Sequence, residues 1–122
     1  MSDETAQLMK DNLDQVWNER DPVARLKAIQ RIYSDAAILY HIGDQVTGHE
    51  QINNSVTAVQ QSLPAAFRFT LLKPVMVNHS IGRAIWGAGP EGQPAVTIGM
   101  DIAHFENGRI KSLYVFLETE LQ

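Results

Sequence analysis

The sequence lacks cysteine altogether, and that absence excludes three kinds of chemistry. A chain without thiols forms no disulfides, uses no cysteine nucleophile and offers no thiolate ligand to a metal. It also lacks a basic cluster, because its 10 lysines and arginines are scattered singly and the net charge is −4. Clustered basic side chains supply most of the affinity of nucleic-acid-binding proteins, so we expect no nucleic-acid partner.

Long apolar runs are missing as well. No segment approaches the ~20 apolar residues needed to span a bilayer. The N-terminus, MSDETAQLMKDN, lacks the basic and then apolar layout of a secretory signal. We therefore expect no membrane partner and a cytoplasmic location. The 122 residues, of which 44% are hydrophobic and 20% charged, predict a single domain over residues 1–122.

Motifs that mark metal and cofactor sites are also scarce. No pair of histidines has ligand spacing on one predicted element, and we find neither a phosphate-binding loop nor a nucleophile elbow. The GAGPEG stretch from Gly87 to Gly92 fits a hairpin turn better than a nucleotide site. We expect no cofactor and no metal, and structural or solvated roles for His49, His79 and His104.

Three helices are indicated by apolar residues spaced three and four apart. The first covers Asp3 to Arg20, and the second begins at Asp21-Pro22, an N-cap followed by a proline at the first helical position, and ends at Ser34-Asp35. The third begins in the segment Thr47–Glu50, in which Thr47 and Glu50 have the spacing of a capping box, and it ends at Pro64. The predicted inner stripes are Ala6, Met9, Leu13, Val16 and Trp17; Val23, Leu26, Ile29, Ile32 and Tyr33; and Ile52, Val56, Val59 and Leu63.

Short β-rich segments fill the rest of the chain. They are Ala36–Ile42, Val46–Thr47, Phe67–Val77 with a break or bend at Pro74, Ile81–Ala88, and a long hairpin from Ala95 to Glu118. Asn107-Gly108 marks the turn of that hairpin, since this pair tolerates positive φ at both central positions. The order of elements predicts an α+β layer fold.

One face of the first hairpin strand carries an acid among small residues. Side chains alternate along a strand, which places Thr97, Gly99, Asp101, Ala103 and Phe105 together. Gly99 and Ala103 leave volume beside Asp101, so this face is typical of a cavity wall. The alternative is a bulge-forming glycine beside an exposed aspartate.

Two stretches, Val96–Met100 and Leu113–Leu117, are apolar on both faces of their strands. A sheet with one solvated face alternates apolar and polar residues, so both faces must be covered. Three helices cover one face, and we expect a second copy of the chain to cover the other, which carries Tyr114 and Phe116. The alternative is a strongly curved sheet that folds over itself.

Four motifs in order carry a resemblance to a known family. They are W-N-E-R-D-P from Trp17, I-Y-S-D-A-A from Ile32, T-G-H-E-Q-I from Thr47 and N-G-R-I from Asn107. Over nearly its whole length the chain resembles the SnoaL-like branch of the nuclear-transport-factor-two-like superfamily. The resemblance implies three N-terminal helices packed on a strongly curved, mostly antiparallel mixed sheet that forms a cone with an internal pocket. The convex face of the sheet is commonly a dimer interface in such proteins.

The resemblance implies a range of functions. The family includes polyketide cyclases, steroid isomerases, epoxide hydrolases, dehydratases and non-enzymatic members, so the fold does not fix the activity. The tyrosine, base and protonated aspartate of the steroid isomerase fall at Leu13, His41 and Ala103, and all three differ. Asp101 matches an aspartate of the cyclases, whose pocket histidine has no counterpart near Trp86-Gly87. The arginine and two aspartates of the epoxide hydrolases have no convincing counterpart either.

The candidate site therefore centres on Asp101. Asp101 and His41 are the predicted catalytic residues, although a core or rim role for His41 is the alternative. Trp86 stands among small neighbours and can stack on a flat ligand, or else is a core tryptophan. The predicted ligand-binding residues are Trp86, Trp17, Tyr33, Phe67, Phe69, Leu13, Ala103 and Leu113.

Two functions from different classes follow from these residues. The first is an enzyme of the isomerase, cyclase or lyase type that performs acid–base chemistry, without a metal, on a small apolar organic molecule. The second is a non-enzymatic ligand-binding or dimeric assembly module. An enzyme pocket needs at least two convergent titratable groups, and this sequence offers Asp101 together with His41 or Tyr33.

Overall fold

The computed structural model describes residues 2–118, which form three helices and seven strands. Helix α1 covers Ser2–Asp11 and continues directly into a π-helical segment, Asn12–Trp17; α2 covers Pro22–Ile32 and α3 covers His49–Gln61. The strands are β1 (Tyr33–His41), β2 (Asp44–Thr47), β3 (Phe67–Leu71), β4 (Met76–Asn78), β5 (Ile81–Pro90), β6 (Thr97–Glu106) and β7 (Arg109–Leu117).

The strands form one mixed sheet in the order β2-β1-β7-β6-β5-β3, and β4 also pairs with β5. Every described pairing is antiparallel except β1 with β7, which is parallel. The helices pack on one face of this sheet and the core lies between them. The predicted α+β arrangement is confirmed.

The hairpin and its faces follow the expectations from sequence. Asn107 and Gly108 have φ values of 54° and 78° and connect β6 to β7. On β6 the residues Gly99, Asp101, Ala103 and Phe105 are buried, whereas their neighbours in between are partly or fully exposed. The alternative of a bulge at Gly99 beside a solvated aspartate is wrong, because Asp101 is only 3% exposed and the irregularity in the β6–β7 pairing lies between His104 and Phe105.

The π-helical segment was not foreseen. Its wider turn is closed by the N–H of Asn18, which donates to the carbonyl of Leu13 at 3.0 Å. The segment buries Leu13, Val16 and Trp17, as the predicted stripe requires, and it buries Asn12 in addition.

Helix α2 begins as predicted and ends earlier. The Asp21 carboxylate accepts a hydrogen bond from the N–H of Val23 at 3.0 Å, so the N-cap is confirmed. The helix ends at Ile32 because Tyr33 is already extended and starts β1, where it pairs with Ile110. Val23 was placed on the inner stripe, but it is 66% exposed.

Arg25 occupies the inner face of α2 and is 1% exposed. Its guanidinium donates to the side-chain oxygens of Asn53, Thr57 and Gln60 at 2.6–2.8 Å. It also donates to the backbone carbonyl of Glu19 at 3.0 Å. Because Asn53, Thr57 and Gln60 lie on α3, these hydrogen bonds hold α2 against α3. They also satisfy the donors of the buried guanidinium, which has lost its contact with water.

The capping box predicted for α3 is wrong. Thr47 ends β2, and the N-cap is Gly48, whose φ of 89° is in the region that favours glycine. Within the described residues no side-chain hydrogen bond caps the start of this helix. His49 has a structural role, as expected, since its Nε2 lies 2.9 Å from the carbonyl oxygen of Tyr33 and 3.0 Å from that of Ser34.

Pro74 lies between β3 and β4, in agreement with the predicted break in this strand segment.

None of the helices in residues 2–118 is long and apolar enough to cross a membrane.

Candidate functional site

A cavity of about 210 Å³ lies between the helices and the inner face of the sheet. Its wall is mostly apolar, and the π-helical segment, α3 and the strands β1, β3, β5, β6 and β7 all contribute to it. The lining residues are Leu13, Trp17, His41, Ile42, Val59, Phe69, Trp86, Asp101, Val115 and Leu117.

Aromatic rings form one continuous part of the wall. Phe69 stands edge-on to Trp86 with ring centroids 5.2 Å apart, and edge-on to Trp17 at 6.0 Å. Trp17 in turn meets the ring of His41 at 6.4 Å, again edge-on. Edge-to-face pairs at these distances are attractive, so each ring helps to fix its neighbour.

Trp86 lies directly over Gly99, its cross-strand partner on β6. A side chain on Gly99 would collide with the six-membered ring of Trp86. The volume that Gly99 was expected to leave open beside Asp101 is therefore occupied by the indole. The glycine makes room for this ring rather than for a ligand.

Asp101 is held by the same indole. Trp86 Nε1 donates to Asp101 Oδ1 at 2.9 Å. No described residue donates to the second oxygen, Oδ2. In residues 2–118, Trp17 Nε1 is the only side-chain polar atom that is both fully buried and without a hydrogen-bond partner. Oδ2 also has no partner, so it is not fully buried. Because Asp101 lines the cavity, Oδ2 faces that cavity.

Burial raises the pKa of Asp101 to about 7, and the hydrogen bond from Trp86 opposes the rise. The cause is desolvation, which disfavours the charged carboxylate in an apolar enclosure. At neutral pH the carboxyl is therefore divided between its acid and base forms.

His41 lies nearer the cavity mouth than Asp101, beside the exposed Ile42. Its Nε2 is 3.0 Å from the hydroxyl oxygen of Ser55 on α3. Burial lowers the pKa of His41, and the charge of Asp44 opposes this. The ring is neutral at pH 7, so it does not supply a positive charge that would hold Asp101 ionised.

The remaining predicted residues lie in two places. Leu13, Trp17, Phe69 and Trp86 line the cavity, whereas Tyr33, Ala103 and Leu113 are fully buried core residues outside its wall. Phe67 is partly buried near the start of β3 and does not line the cavity either.

Tyr33 is tied to the π-helical segment. Its hydroxyl donates to Asn12 Oδ1 at 2.6 Å. Burial, and after it the charge of Asp101, raises the pKa of Tyr33 far above its usual range, so this hydroxyl stays protonated. Trp17 acts to lower that pKa, although its N–H makes no hydrogen bond of normal geometry to the hydroxyl.

Five residues at or beside the cavity were not predicted as site residues. Val59 was on the predicted stripe of α3, and Val115 and Leu117 alternate with Tyr114 and Phe116, so their inward direction was readable from the sequence. Ile42 and Ser55 gave no comparable signal, because the position of α3 over the end of β1 depends on tertiary packing that the local sequence does not show.

No three His, Cys, Asp or Glu side chains cluster as metal ligands in the part of the chain that the structure describes.

Comparison with known proteins identifies the fold. No protein-family model matches the sequence, and no curated protein matches it. A candidate isomerase of the SnoaL-like family from Agrobacterium tumefaciens is similar with a TM-score of 0.85 and 22% identity, over 94% of this chain and 97% of that one. A candidate SnoaL-like polyketide cyclase from Jannaschia sp. CCS1 has a TM-score of 0.81 and 11% identity, over 98% and 89%.

A nuclear-transport-factor-two-like protein from Cytophaga hutchinsonii has a TM-score of 0.69 and 16% identity, over 97% of this chain and 95% of that one. These similarities show that the chain has the nuclear-transport-factor-two-like fold of SnoaL-like proteins. The fold that the sequence motifs implied is thus confirmed. Identities this low show the fold alone.

The raised pKa of Asp101 predicts how stability depends on pH. The folded state holds the Asp101 proton more tightly than the unfolded chain, where the pKa is about 3.9. Asp101 therefore contributes most to the free energy of unfolding below about pH 4, and this contribution is lost as the pH rises through about 7.

Asp101→Asn keeps an acceptor for Trp86 and carries no charge. We expect the variant to exceed the unsubstituted protein in stability by roughly 3–4 kcal/mol at pH 8 and to match it near pH 4. Urea unfolding at both pH values measures the difference, with the exposed Asp14→Asn as the matched control. Equal stabilities of Asp101→Asn and the unsubstituted protein at pH 8 would contradict the raised pKa.

Proposed function

We propose that the cavity binds a small, mostly apolar organic molecule and that Asp101 transfers a proton to or from it, in a reaction of the isomerase, cyclase or lyase type. One observation carries the proposal. Asp101 is almost fully buried, accepts a hydrogen bond from the described residues through one oxygen only, faces an apolar cavity with the other, and has a pKa of about 7. A general acid or base is most effective when its pKa lies near the working pH.

Each neighbour of Asp101 has a definable part in such a reaction. Trp86 holds Oδ1 and so fixes the direction of Oδ2 toward the ligand. The apolar walls formed by Leu13, Phe69 and Val115 exclude water from the reacting atoms. His41 is the second titratable group of the wall and, being neutral, can donate or accept one hydrogen bond near the mouth.

Two similar structures carry names that agree with this class of chemistry. One is named as a candidate isomerase and the other as a candidate polyketide cyclase. Such agreement is an analogy from the fold, and it supports the reaction class without naming a substrate.

A proton-exchange assay tests the role of Asp101. We expect the protein to accelerate the exchange of α-protons of cyclohexanone in D2O, with a rate that rises through about pH 7 as Asp101 ionises. Asp101→Asn should lower the rate about 10²–10⁴-fold, whereas Asp14→Asn should leave it unchanged. Proton NMR measures both rates. If exchange in Asp101→Asn is as fast as in the unsubstituted protein, Asp101 is not the base.

The second candidate function is a non-enzymatic ligand-binding or assembly module. It is favoured by the small polar content of the wall, where Asp101 and His41 are the only titratable lining residues in the described chain. In that case Asp101→Asn changes the affinity for a ligand and there is no reaction rate for it to lower.

We also propose that the outer face of the sheet joins two copies of the chain. Tyr114 and Phe116 on β7 are 40% and 37% exposed, and Ile98 on β6 is exposed beside them. Tyr40 stacks on Tyr114 with ring centroids 4.5 Å apart, which extends the apolar surface onto β1. Because the sheet leaves these side chains exposed, it does not fold over them, and a second copy is the simplest cover.

The dimer is tested by adding charge to this face. Tyr114→Glu combined with Phe116→Glu should convert a dimer to a monomer or an aggregate, because two carboxylates would be buried in the interface. Gln30→Glu combined with Gln51→Glu adds the same charge on the exposed helical side and should stay dimeric. Light scattering at micromolar concentration measures the mass. A stable monomer formed by the unsubstituted chain would rule the dimer out.

The expectations of a cytoplasmic location, of no nucleic-acid partner and of no cofactor stay predictions.

A further inference from the structure

We infer that Asn18 is a positioning residue of the candidate site, because its side-chain amide pairs with the backbone of Phe69 on β3 and so sets the ring that borders Trp86. The inference rests on the proposed function for the role of Asp101, and it adds a residue that lies outside the cavity wall. The segment W-N-E-R-D-P, which supplies Trp17 to that wall, thereby has a second part in building the site.

The amide of Asn18 takes the place of a neighbouring strand. β3 ends the sheet, and within residues 2–118 no strand pairs with the edge of β3 that faces away from β5, its free edge. At this edge Asn18 Nδ2 donates to the carbonyl oxygen of Phe69 at 2.7 Å, and the N–H of Phe69 donates to Asn18 Oδ1 at 2.7 Å. One side chain, 51 residues earlier in the chain, thus satisfies both backbone groups of Phe69.

The pairing needs the amide of Asn18. An asparagine side chain offers a donor and an acceptor on one planar group, whereas aspartate offers two acceptors and leucine offers neither. An aspartate would bring a second acceptor against the carbonyl oxygen of Phe69, and a leucine would leave both backbone groups of Phe69 without this partner. The position therefore distinguishes Asn18 from the two side chains closest to it in shape.

The backbone on either side of Asn18 is held in place by the buried cluster around Arg25. Gln60 Nε2 donates to the carbonyl oxygens of Trp17 at 3.0 Å and of Glu19 at 2.9 Å. Arg25 Nε donates to the same carbonyl of Glu19 at 3.0 Å. Because its two chain neighbours are fixed in this way, Asn18 can present its amide to β3 in one orientation.

Phe69 carries the effect of Asn18 into the site. Its ring stands edge-on to Trp86 with centroids 5.2 Å apart, and Trp86 donates to Asp101 Oδ1. β5 pairs with one edge of β3 and Asn18 with the other, so the backbone of Phe69 is held from both sides. A functional group keeps its geometry only when the residues around it are themselves fixed. Asn18 meets this requirement for the ring beside the indole.

Arg20 offers a matched comparison at the same edge of β3. Its Nη2 donates to the carbonyl oxygens of Ala65 at 3.4 Å and of Phe67 at 3.2 Å. Phe67 does not line the cavity. Replacing Arg20 therefore removes a contact between the same two parts of the chain and leaves the hydrogen bonds of Phe69 in place.

NMR of the indole N–H groups tests the inference. The sequence has two tryptophans, so Trp17→Phe identifies the Trp86 signal. Because the N–H of Trp86 donates to Asp101, its proton shift should change with pH as that carboxyl titrates. In Asn18→Leu we expect this pH-dependent shift to be lost, and we expect the indole proton to exchange with solvent roughly tenfold faster. In Arg20→Ala both properties should match those of the unsubstituted protein.

The pH-dependent shift belongs to the folded state, so a loss of stability alone does not remove it. A Trp86 signal that behaves in Asn18→Leu as it does in the unsubstituted protein would overturn the inference, and so would equal changes in Asn18→Leu and Arg20→Ala. If Asn18→Leu does not fold, Asn18→Ala removes the same two hydrogen bonds without added bulk, and the same two properties decide.

The inference and the proposed function fail in different experiments. An unaltered Trp86 signal in Asn18→Leu, together with cyclohexanone exchange that still depends on Asp101, would overturn the role of Asn18 alone. An altered Trp86 signal, together with cyclohexanone exchange that is unchanged in Asp101→Asn, would overturn the acid–base function alone.

Discussion

The hydrogen bond between Trp86 and Asp101 is the interaction on which the candidate site depends. The two residues are diagonal neighbours on one face of the sheet, because Trp86 pairs with Gly99 and Asp101 pairs with Ala84. The indole can reach the carboxyl only because Gly99 has no side chain in its path. One contact thus fixes the ring, the direction of the acid and the shape of the cavity wall.

Burying Asp101 has a cost that the rest of the fold must offset. Its pKa of about 7 means that the ionised form is destabilised in the folded protein at physiological pH. Arg25 is also charged and buried, but its guanidinium donates to three side-chain oxygens of α3 and to two backbone carbonyls. The hydrogen bonds of Arg25 are satisfied by the protein and connect two helices, whereas one oxygen of Asp101 faces the cavity without a hydrogen-bond partner among the described residues. Such an incompletely satisfied acid is typical of functional sites.

Local patterns allowed much of the fold to be predicted from the sequence. The alternation on β6, the Asn107-Gly108 turn, the N-cap at Asp21 and the break at Pro74 each depend on residues close together in the chain. The same alternation placed Asp101 on the inner face. The order of short motifs then implied the fold.

Features that depend on distant residues escaped prediction. The sequence around Arg25 gives no sign that it is buried, because its side-chain acceptors lie 28, 32 and 35 residues further along, on α3. The segment from Thr47 to Glu50 has the residue types of a capping box, but β2 extends through Thr47 and the N-cap residue is Gly48. Gly99 was taken as empty space because the sequence does not show which ring crosses over from β5.

The most direct measurement of the central claim is a titration of the Asp101 carboxyl carbon by carbon-13 NMR. We expect a midpoint near pH 7. We expect a higher midpoint in Trp86→Phe, since that change removes the indole N–H that donates to the charged form. A midpoint near the ordinary value of about 3.9, unchanged in Trp86→Phe, would contradict the raised pKa of Asp101.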